Sequence, residues 1–249
     1  MILPKSHPLP MRAHFERVLV LTYALPEECL RPFLPPGLVL DTFRNSGFLA
    51  IAMVQTRNLR PTFAPKLFGK DFFLTGYRVF VRYRTHSGSV LRGLRILRSD
   101  TDSDLMVRWG NRLTHYQYRK ATVVYSANDH MLEVSIRTPA EEADLHVRAY
   151  PGDEAILPSG SPFPDLQVAR RFAGPLPFTF DYEERTHSIL RIQGVRREWN
   201  PKLTRVEVLR NTFITKEPFA SAHPVLASAF HLANVPYLWK RGVREAVTA

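Results

Sequence analysis

Arginine side chains concentrate in the middle of this 249-residue chain, on segments whose residues alternate as in β-strands. Residues 57–119 hold eleven Arg and two Lys against four Asp, a local balance of +9 within a net charge of +11. Guanidinium groups match carboxylates and phosphates through paired hydrogen bonds. This segment therefore predicts a site for an anion, although it names neither the anion nor a reaction.

The arginine-rich segment reads as a β-hairpin. Two strand-like runs, 73–85 and 89–98, flank a short turn that contains a glycine, and glycine readily supplies the positive φ of tight hairpin turns. If Ser87 and Gly88 form a two-residue loop, Phe80 lies opposite Arg95. A shift of one residue would exchange the two faces of the hairpin, so every assignment to a face depends on this register.

In this register Arg78, Arg82 and Arg95 share one face, interleaved with apolar residues. We predict that Arg95 faces a concave, mostly apolar cavity, with Arg78 or Arg82 beside it, and that together they bind an anion. The hairpin strands supply no acidic partner, and an unpaired buried charge costs several kcal/mol. The alternative is that this face is the wet exterior, with the arginine stems lying over apolar neighbours.

The elements that must position these side chains are mostly short strands with few helices. Helices are predicted near Pro26, near Asp102, at 163–172 and from Pro224 to near Asn234. Strands are predicted on either side of them, including 116–125 and 131–137, which are joined by a turn at 127–129, and further strands at 178–182, 188–196 and 205–209. The order of elements shows no βαβ alternation. It favours a mainly β fold, an antiparallel barrel or sandwich with helical decorations, over a doubly wound parallel sheet.

Composition excludes several classes of protein. No run approaches the roughly 20 apolar residues of a membrane-spanning helix, and the N-terminus lacks the pattern of a signal peptide. One cysteine, Cys29, excludes an internal disulfide framework and a multi-cysteine metal site. The histidine spacings indicate no metal site, and no phosphate loop or dinucleotide glycine motif predicts a cofactor. We expect a soluble cytoplasmic protein with no cofactor.

The sequence pI of about 10.1 raises the alternative of a nucleic-acid or polyanion binder. However, the positive charge is carried by 27 Arg and only 7 Lys, mainly on strand-like segments, and no nucleic-acid-binding motif accompanies it. We therefore keep nucleic-acid binding as the second hypothesis. The two hypotheses differ in whether Arg78, Arg82 and Arg95 face an enclosed cavity or an exposed stripe.

A set of phrases between Met11 and Trp239 resembles the bacterial family called domain of unknown function 2071, which is grouped with acetoacetate decarboxylase-like proteins. The phrases are MRAHFERVLVLTYALP, LRPFLPPGLVLDTF, FLAIAMVQTRNLRP, FFLTGYRVFVRYR, RGLRILRSDTD and GNRLTHYQYRKA. The resemblance implies that residues 1–249 form a single closed β-barrel domain whose interior holds a small organic acid.

In the decarboxylase branch, the resemblance implies a lysine that forms a Schiff base with a β-keto acid. That branch has Gly-x-Pro-Lys-Lys after the mid-chain helix. Here the matching segment 110–116 reads GNRLTHY, and no lysine occurs between Lys70 and Lys120. Lys120 lies beyond the matching position. We therefore expect that this chain does not perform Schiff-base decarboxylation.

Two residues of the matching segment are candidates for chemistry. His115 could act as a general base or hydrogen-bond a ligand carbonyl, or it could be a hydrogen-bonded histidine at a helix-to-strand junction. Tyr116, with Tyr77 on the hairpin, could line a cavity and offer a hydroxyl, or be a half-buried strand aromatic. The leading hypothesis is a barrel that binds a small carboxylate, either a lyase or hydratase or a protein without turnover. The sequence leaves open whether the chain forms a homo-oligomer.

Overall fold

The computed structural model describes residues 5–128, 130–153, 155–174, 176–196 and 199–247. Its strands, in chain order, are β1 (Met11–Pro26), β2 (Leu38–Leu40), β3 (Ser46–Pro61), β4 (Lys70–Arg84), β5 (Val90–Thr101), β6 (Tyr118–Lys120), β7 (Thr122–Ala127), β8 (Leu132–Arg137), β9 (Leu145–Tyr150), β10 (Phe178–Glu183), β11 (Ser188–Arg196), β12 (Lys202–Leu203), β13 (Arg205–Asn211), β14 (Val225–Trp239) and β15 (Val243–Ala246). The α-helices are α1 (Glu27–Leu30), α2 (Asn111–Leu113), α3 (Leu166–Ala173) and α4 (Thr212–Thr215).

These strands form two sheets. The larger sheet has the order β12-β14-β1-β3-β4-β5-β10-β11-β15, with β2 added on β4, β6 added on β5, and a further pairing between β11 and β14. The smaller sheet has the order β13-β9-β8-β7. The predicted mainly β architecture with a few short helices is thus confirmed.

Two pairings depart from the antiparallel prediction, because both β6 and β10 run parallel to β5. Parallel neighbours need a crossover connection rather than a tight turn. A helical segment over residues 104–113 provides the crossover between β5 and β6. The sequence predicted this helix, but it did not indicate that the strand after the helix, β6, would pair with β5.

The central strand β3 is buried on both faces. Its odd-numbered residues from Leu49 to Met53 pack in the core that the large sheet shares with the small one. Its even-numbered residues from Ala50 to Val54 face the opposite side. This double burial explains why the run FLAIAMV is apolar at every position instead of alternating with polar residues.

The loop of the β4–β5 hairpin has three residues, so the condition of a two-residue loop, on which the predicted register rested, is not met. Arg84 pairs with Val90. Beyond that pair, the N–H of Thr85 donates to the carbonyl of Ser89 at 2.9 Å, which leaves 86–88 as the loop. Three-residue loops with a glycine at positive φ are common in β-hairpins. Gly88 has a φ of +83°.

The longer loop shifts the strand pairing by one residue and thereby exchanges the faces of β5. Arg95 lies opposite Val79, not opposite Phe80. Because directly opposed residues share a face, Arg95 lies on the face of β5 away from that of Arg78, whose partner is Ile96. The predicted grouping of three arginines on one face is therefore corrected.

The helix predicted from Pro224 to Asn234 was also wrong, because this segment lies in strand β14. It pairs with β1 along almost the full length of both strands, from Ala24 opposite Val225 to Met11 opposite Trp239. Alanine and leucine in this segment favour a helix locally. The long pairing and the burial on both faces outweigh that preference, since intrinsic propensity is a weak prior against tertiary contacts.

Other elements match their predictions in part. Helical segments occur near Pro26, near Asp102 and at α3, where the side chain of Asp165 accepts a hydrogen bond from the N–H of Val168 at 2.7 Å. The strand predicted at 116–125 is divided between β6 and β7, which belong to different sheets. Strand β9 was not predicted. Residue 129, in the predicted turn after β7, lies outside the described residues.

Candidate functional site

A cavity of about 420 Å³ lies on the side of the large sheet that faces away from the small sheet. Even-numbered residues of β3 and β4 form its floor, and the ends of β11 and β14 complete the wall. The helical segment 105–114 covers it together with Ala173, Gly174, Leu176 and Thr179. Most of its lining side chains are apolar. Its volume and character are those of a small-molecule site.

Arg78 reaches this cavity from β4 and is the most unusual residue in its wall. The residue is half-buried, with its Nε shielded from solvent, and burial lowers the pKa of its guanidinium. Its Nε has no hydrogen-bond partner within the described part of the chain. A guanidinium nevertheless stays charged in proteins. Arg78 therefore places a positive charge in an apolar space, where a bound anion would compensate it.

The sequence makes room for the Arg78 side chain at Gly76, two residues earlier on the same face of β4. A methyl group at Gly76 would stand 2.7 Å from Nε and 2.9 Å from one terminal nitrogen of Arg78. These distances are shorter than atomic contacts permit. The guanidinium therefore lies folded back over the glycine, in space that a side chain at position 76 would occupy.

Three tyrosines surround this charge. The rings of Tyr116, Tyr118 and Tyr237 line the cavity and interact electrostatically with Arg78. Burial raises the pKa of Tyr116 well above its ordinary value, and it raises that of Tyr118 as well. Both hydroxyls therefore keep their protons near neutral pH. They can donate hydrogen bonds to an anion, but they cannot serve as bases there.

The hydroxyl of Tyr116 has no hydrogen-bond partner among the described residues. An unpaired buried hydroxyl is costly, in the range of about 1–3 kcal/mol. A ligand oxygen that accepted its hydrogen bond would remove that cost. Tyr116 is thus a second residue, besides Arg78, with a polar atom that can hydrogen-bond a ligand.

Arg196, at the end of β11, is a second cation in the cavity wall. Its guanidinium lies 4.1 Å from the centre of the Trp199 ring and donates to the carbonyl of Leu176 at 3.0 Å. Burial is the main cause that lowers its pKa, and the charge of Arg78 lowers it further. The two arginines are therefore close enough to repel each other, and an anion between them would relieve this repulsion.

Acidic residues are missing from the cavity wall as far as the structure describes it: its lining includes no Asp and no Glu. Within the described residues, no group of three or more His, Cys, Asp or Glu side chains could hold a metal ion. The described helices include none long and apolar enough to cross a membrane. The charged side chains in the described cavity wall are therefore cations, and the tyrosine hydroxyls beside Arg78 are hydrogen-bond donors.

Arg95, the centre of the predicted site, lies elsewhere. Its Nη1 donates to Oδ1 of Asp181 at 2.7 Å, and its side chain is mostly buried. It does not belong to the cavity lining identified among the described residues. The acid that the hairpin did not supply comes instead from β10, more than eighty residues later in the chain.

Arg82 is likewise paired. Its Nε lies 2.5 Å from one carboxylate oxygen of Asp41, and Nε of Arg92, opposite Arg82 on β5, lies 2.5 Å from the other. The Asp41 side chain is completely buried. Arg82 is therefore part of an ion-pair cluster that ties the hairpin to the segment after β2.

His115 and Tyr77 also contact protein groups. Nε2 of His115 lies 3.4 Å from a carboxylate oxygen of Glu183, and burial lowers the pKa of His115, so that its imidazole is neutral near pH 7. The hydroxyl of Tyr77 donates to the carbonyl of Ala143 at 3.1 Å within the core between the sheets. Neither residue is in the described cavity lining. Of the six predicted site residues, the cavity brings together Arg78 and Tyr116.

The sequence did contain a signal for the correct arginine. In the run FFLTGYRVF, the residues at alternate positions from Phe72 to Phe80 are apolar except for Gly76 and Arg78. A lone arginine in an apolar row, two positions after a glycine, indicates a folded-back guanidinium on a buried face. No comparable signal marked Arg196, because its setting depends on strand pairing with β14.

The structural comparisons agree on one fold. Acetoacetate decarboxylase from Legionella pneumophila matches with a TM-score of 0.62 and 13% identity, covering 98% of this chain and 90% of that one. An acetoacetate decarboxylase-like enzyme from Sphingomonas wittichii matches with a TM-score of 0.59 and 10% identity, covering 97% and 94%. The enduracididine biosynthesis enzyme MppR, in a complex with pyruvate, matches with a TM-score of 0.57 and 10% identity, covering 97% and 91%.

At these low identities the structural matches show the fold alone. No curated protein matches the sequence. The family model of domain of unknown function 2071, described as an uncharacterized conserved protein, matches residues 12–235. That range includes the hairpin, the helical segment and most of the cavity wall. The chain therefore belongs to the domain of unknown function 2071 family, and its fold is that of the acetoacetate decarboxylase-like proteins.

Proposed function

We propose that the protein binds a small organic carboxylate in the cavity, with Arg78 as the group that holds the carboxylate. The observation that carries this proposal is the guanidinium of Arg78, which lines the cavity and whose buried Nε has no partner within the described residues. A carboxylate matches a guanidinium with two parallel hydrogen bonds. Pyruvate in the cited MppR complex is an acid of the same class in a protein of the same fold.

The other polar groups of the cavity fit the same ligand. Tyr116 offers a hydroxyl that stays protonated and unpaired, and Arg196 adds a second positive charge. A carboxylate has about four lone-pair positions and can accept bonds from several donors at once. We assign Tyr116 to hydrogen bonding of the bound anion rather than to proton abstraction, since its raised pKa opposes loss of the proton.

We extend this proposal to the architecture. Strand β11 pairs with both β10 and β14, which supports a ring of strands that closes around the cavity as a β-barrel. A single domain over residues 1–249, located in the cytoplasm, is the corresponding proposal for the whole chain. The three arginines of the rival polyanion hypothesis are divided between the cavity and two ion pairs, which favours a small ligand over a nucleic acid.

A carboxylate and the matching neutral amide test the proposal directly. Hexanoate and hexanamide have the same apolar tail and nearly the same shape, so they differ mainly in the charge that Arg78 would bind. We expect isothermal titration calorimetry to show binding of hexanoate at least tenfold tighter than that of hexanamide, because charged hydrogen bonds contribute about 1.5–3 kcal/mol. Equal affinity of the two compounds would contradict the assignment of an anion site.

The second candidate function is a lyase-like enzyme on a keto or carboxylic acid, which the decarboxylase fold favours. A Schiff-base mechanism is the part that this chain does not support. Thr114 and Tyr116 line the cavity where the decarboxylase branch has Pro and the second Lys of its motif. Lys120 is held by Asp104, with 2.9 Å between the ammonium nitrogen and the nearest carboxylate oxygen. Lys70, a lining residue, is exposed.

We expect borohydride to trap no stable lysine adduct when the protein is incubated with acetoacetate or pyruvate. The reason is that no lysine shares the buried part of the cavity with Arg78 within the described lining. Intact-protein mass spectrometry, compared with a sample reduced without the keto acid, measures the result. A stoichiometric adduct that peptide mapping assigns to Lys70 or Lys120 would show that Schiff-base chemistry is available after all.

A further inference from the structure

The cavity is mainly apolar, and Arg78 lies towards one end of the row of β4 residues that lines it. Strand register divides its floor into layers. Arg78 lies opposite Ala50, and Gly76 lies opposite Ala52. The small side chains of these neighbours leave open space around the guanidinium. Arg78 and the hydroxyl groups near it form what we call the cationic end of the cavity.

The layers beyond the cationic end are mainly apolar, with Thr56 as a polar exception. Leu74 lies opposite Val54, which in turn lies opposite Val18. The next layer has Phe72 and Phe15 on either side of Thr56. All of these side chains line the cavity.

The lining residues of β4 continue to Lys70, at the exposed end of this strand. Gly76 lies six positions after Lys70 along β4, which corresponds to about 20 Å at the rise of an extended strand. The lining side chains near the opening are large, apolar and exposed, and they include Phe68, Leu105 and Trp109. We call this opening the mouth. The cavity therefore leads from a buried positive charge through apolar layers to an apolar mouth.

A short keto acid would occupy only the cationic end. It would leave the layers of Leu74 and Phe72 without apolar partners, and such lining atoms lose dispersion contacts. An acid with an extended apolar tail would fill them. Burial of each methylene group contributes about 0.8 kcal/mol, so these layers offer substantial affinity to a long tail and almost none to a short acid.

We propose that the ligands of this site are carboxylic acids with a long, unbranched apolar tail, of the medium-chain fatty acid class. This inference rests on the proposed function, since Arg78 holds the carboxylate. The tail extends from the guanidinium past Leu74, Val54 and Phe72 towards the mouth. The absence of Asp and Glu from the described lining favours an acid that carries no further cationic group.

The test is a series of straight-chain acids, from acetate through hexanoate and octanoate to decanoate, with pyruvate added, each titrated calorimetrically below its micelle concentration. We expect the Kd to fall about fourfold for each added methylene, which is the value for full burial, until the tail reaches the mouth. Decanol, which has a similar tail and no charge, should bind at least tenfold more weakly than decanoate.

A variant in the tail layers locates the tail. Val54→Phe adds an aromatic ring to the cavity wall two layers away from Arg78. It should raise the Kd of decanoate at least tenfold while changing the Kd of acetate less than twofold. Val39→Phe, the same substitution at an exposed position on β2 outside the described lining, is the matched control and should bind both acids normally. A thermal melt confirms that each variant is folded, and Leu59→Trp, nearer the mouth, replaces Val54→Phe if that variant is not.

The outcomes separate the two proposals. If acetate, pyruvate and decanoate bind equally well, the inference about the tail is overturned while the carboxylate site stands. If decanol binds as tightly as decanoate, the tail is correct and the carboxylate site is overturned. If no acid of the series binds, both proposals are overturned.

Discussion

An Arg78→Met variant will be more stable than the wild-type protein in the absence of ligand and will no longer bind carboxylates. Arg78 is half-buried in the apolar cavity wall with a buried, unpaired Nε, and methionine fills similar apolar space without a charge. Replacement of buried ionic groups by apolar residues stabilises proteins by about 1–4 kcal/mol in favourable cases. Loss of the guanidinium removes the group that we assign to the carboxylate, so hexanoate should produce no heat of binding.

Urea unfolding without ligand and calorimetry with hexanoate measure these two effects on the same preparation. Arg84→Met is the matched control, because Arg84 lies on the same strand but is exposed. It should change the free energy of unfolding by less than about 0.5 kcal/mol and leave binding intact. A strongly destabilised Arg78→Met variant, or one that binds hexanoate as the wild type does, would contradict the role of Arg78.

Asp181→Leu will destabilise the protein by about 3–5 kcal/mol at pH 8, because it leaves Arg95 mostly buried and unpaired. Burial raises the pKa of Asp181 to about 7, and the charge of Arg95 opposes this rise. At pH 8 most of the carboxyl group is therefore ionised and paired. The double variant Asp181→Leu with Arg95→Leu removes both charges and should recover most of the lost stability.

The same pair gives a pH dependence. The pKa of Asp181 is raised in the folded protein above its ordinary value of 3.8. Between pH 4 and 7 the folded state therefore holds a proton that the unfolded state has released. The contribution of Asp181 to stability is present below pH 4 and is lost as pH rises to 7. This dependence should be missing from the double variant in urea unfolding across that range.

Ligand binding distinguishes a structural ion pair from a binding site at Arg95. The double variant should bind hexanoate as the wild type does, since Arg95 is not in the described cavity lining. A double-mutant cycle over the three variants should give a coupling free energy of about 2–3 kcal/mol. Loss of hexanoate binding in the folded double variant would show instead that Arg95 takes part in ligand binding.

The arginine-rich segment shows why local charge was a partial guide to the site. Within 57–119 the excess of positive charge is real, and one of its arginines, Arg78, lines the cavity. Six of its eleven arginines, however, pair with acids that lie outside the segment in the sequence. Asp41 pairs with Arg82 and Asp181 pairs with Arg95. Neither partner is near its arginine in the sequence, so no count along the chain could have paired them.

One extra loop residue decided which arginine faces the cavity. The alternation of residues along β4 predicted correctly that Tyr77 and Arg78 lie on opposite faces, because side chains of a strand alternate. The relation of β4 to β5 required the loop length, which the residues 86–88 do not fix by themselves. With a two-residue loop Arg95 would lie beside Arg78, and with three it lies on the other face.

The sequence by itself determined the mainly β class, the family and the lack of the decarboxylase lysine motif, and it named Arg78 and Tyr116 among six candidates. These follow from local alternation, turn residues and matched phrases, which act over a few residues. Tertiary structure alone decided that β14 is a strand, that Arg82 and Arg95 are neutralised, and that Arg196 joins Arg78 in the cavity wall. Those features depend on pairings between distant segments, and the free energy of such contacts outweighs local preference.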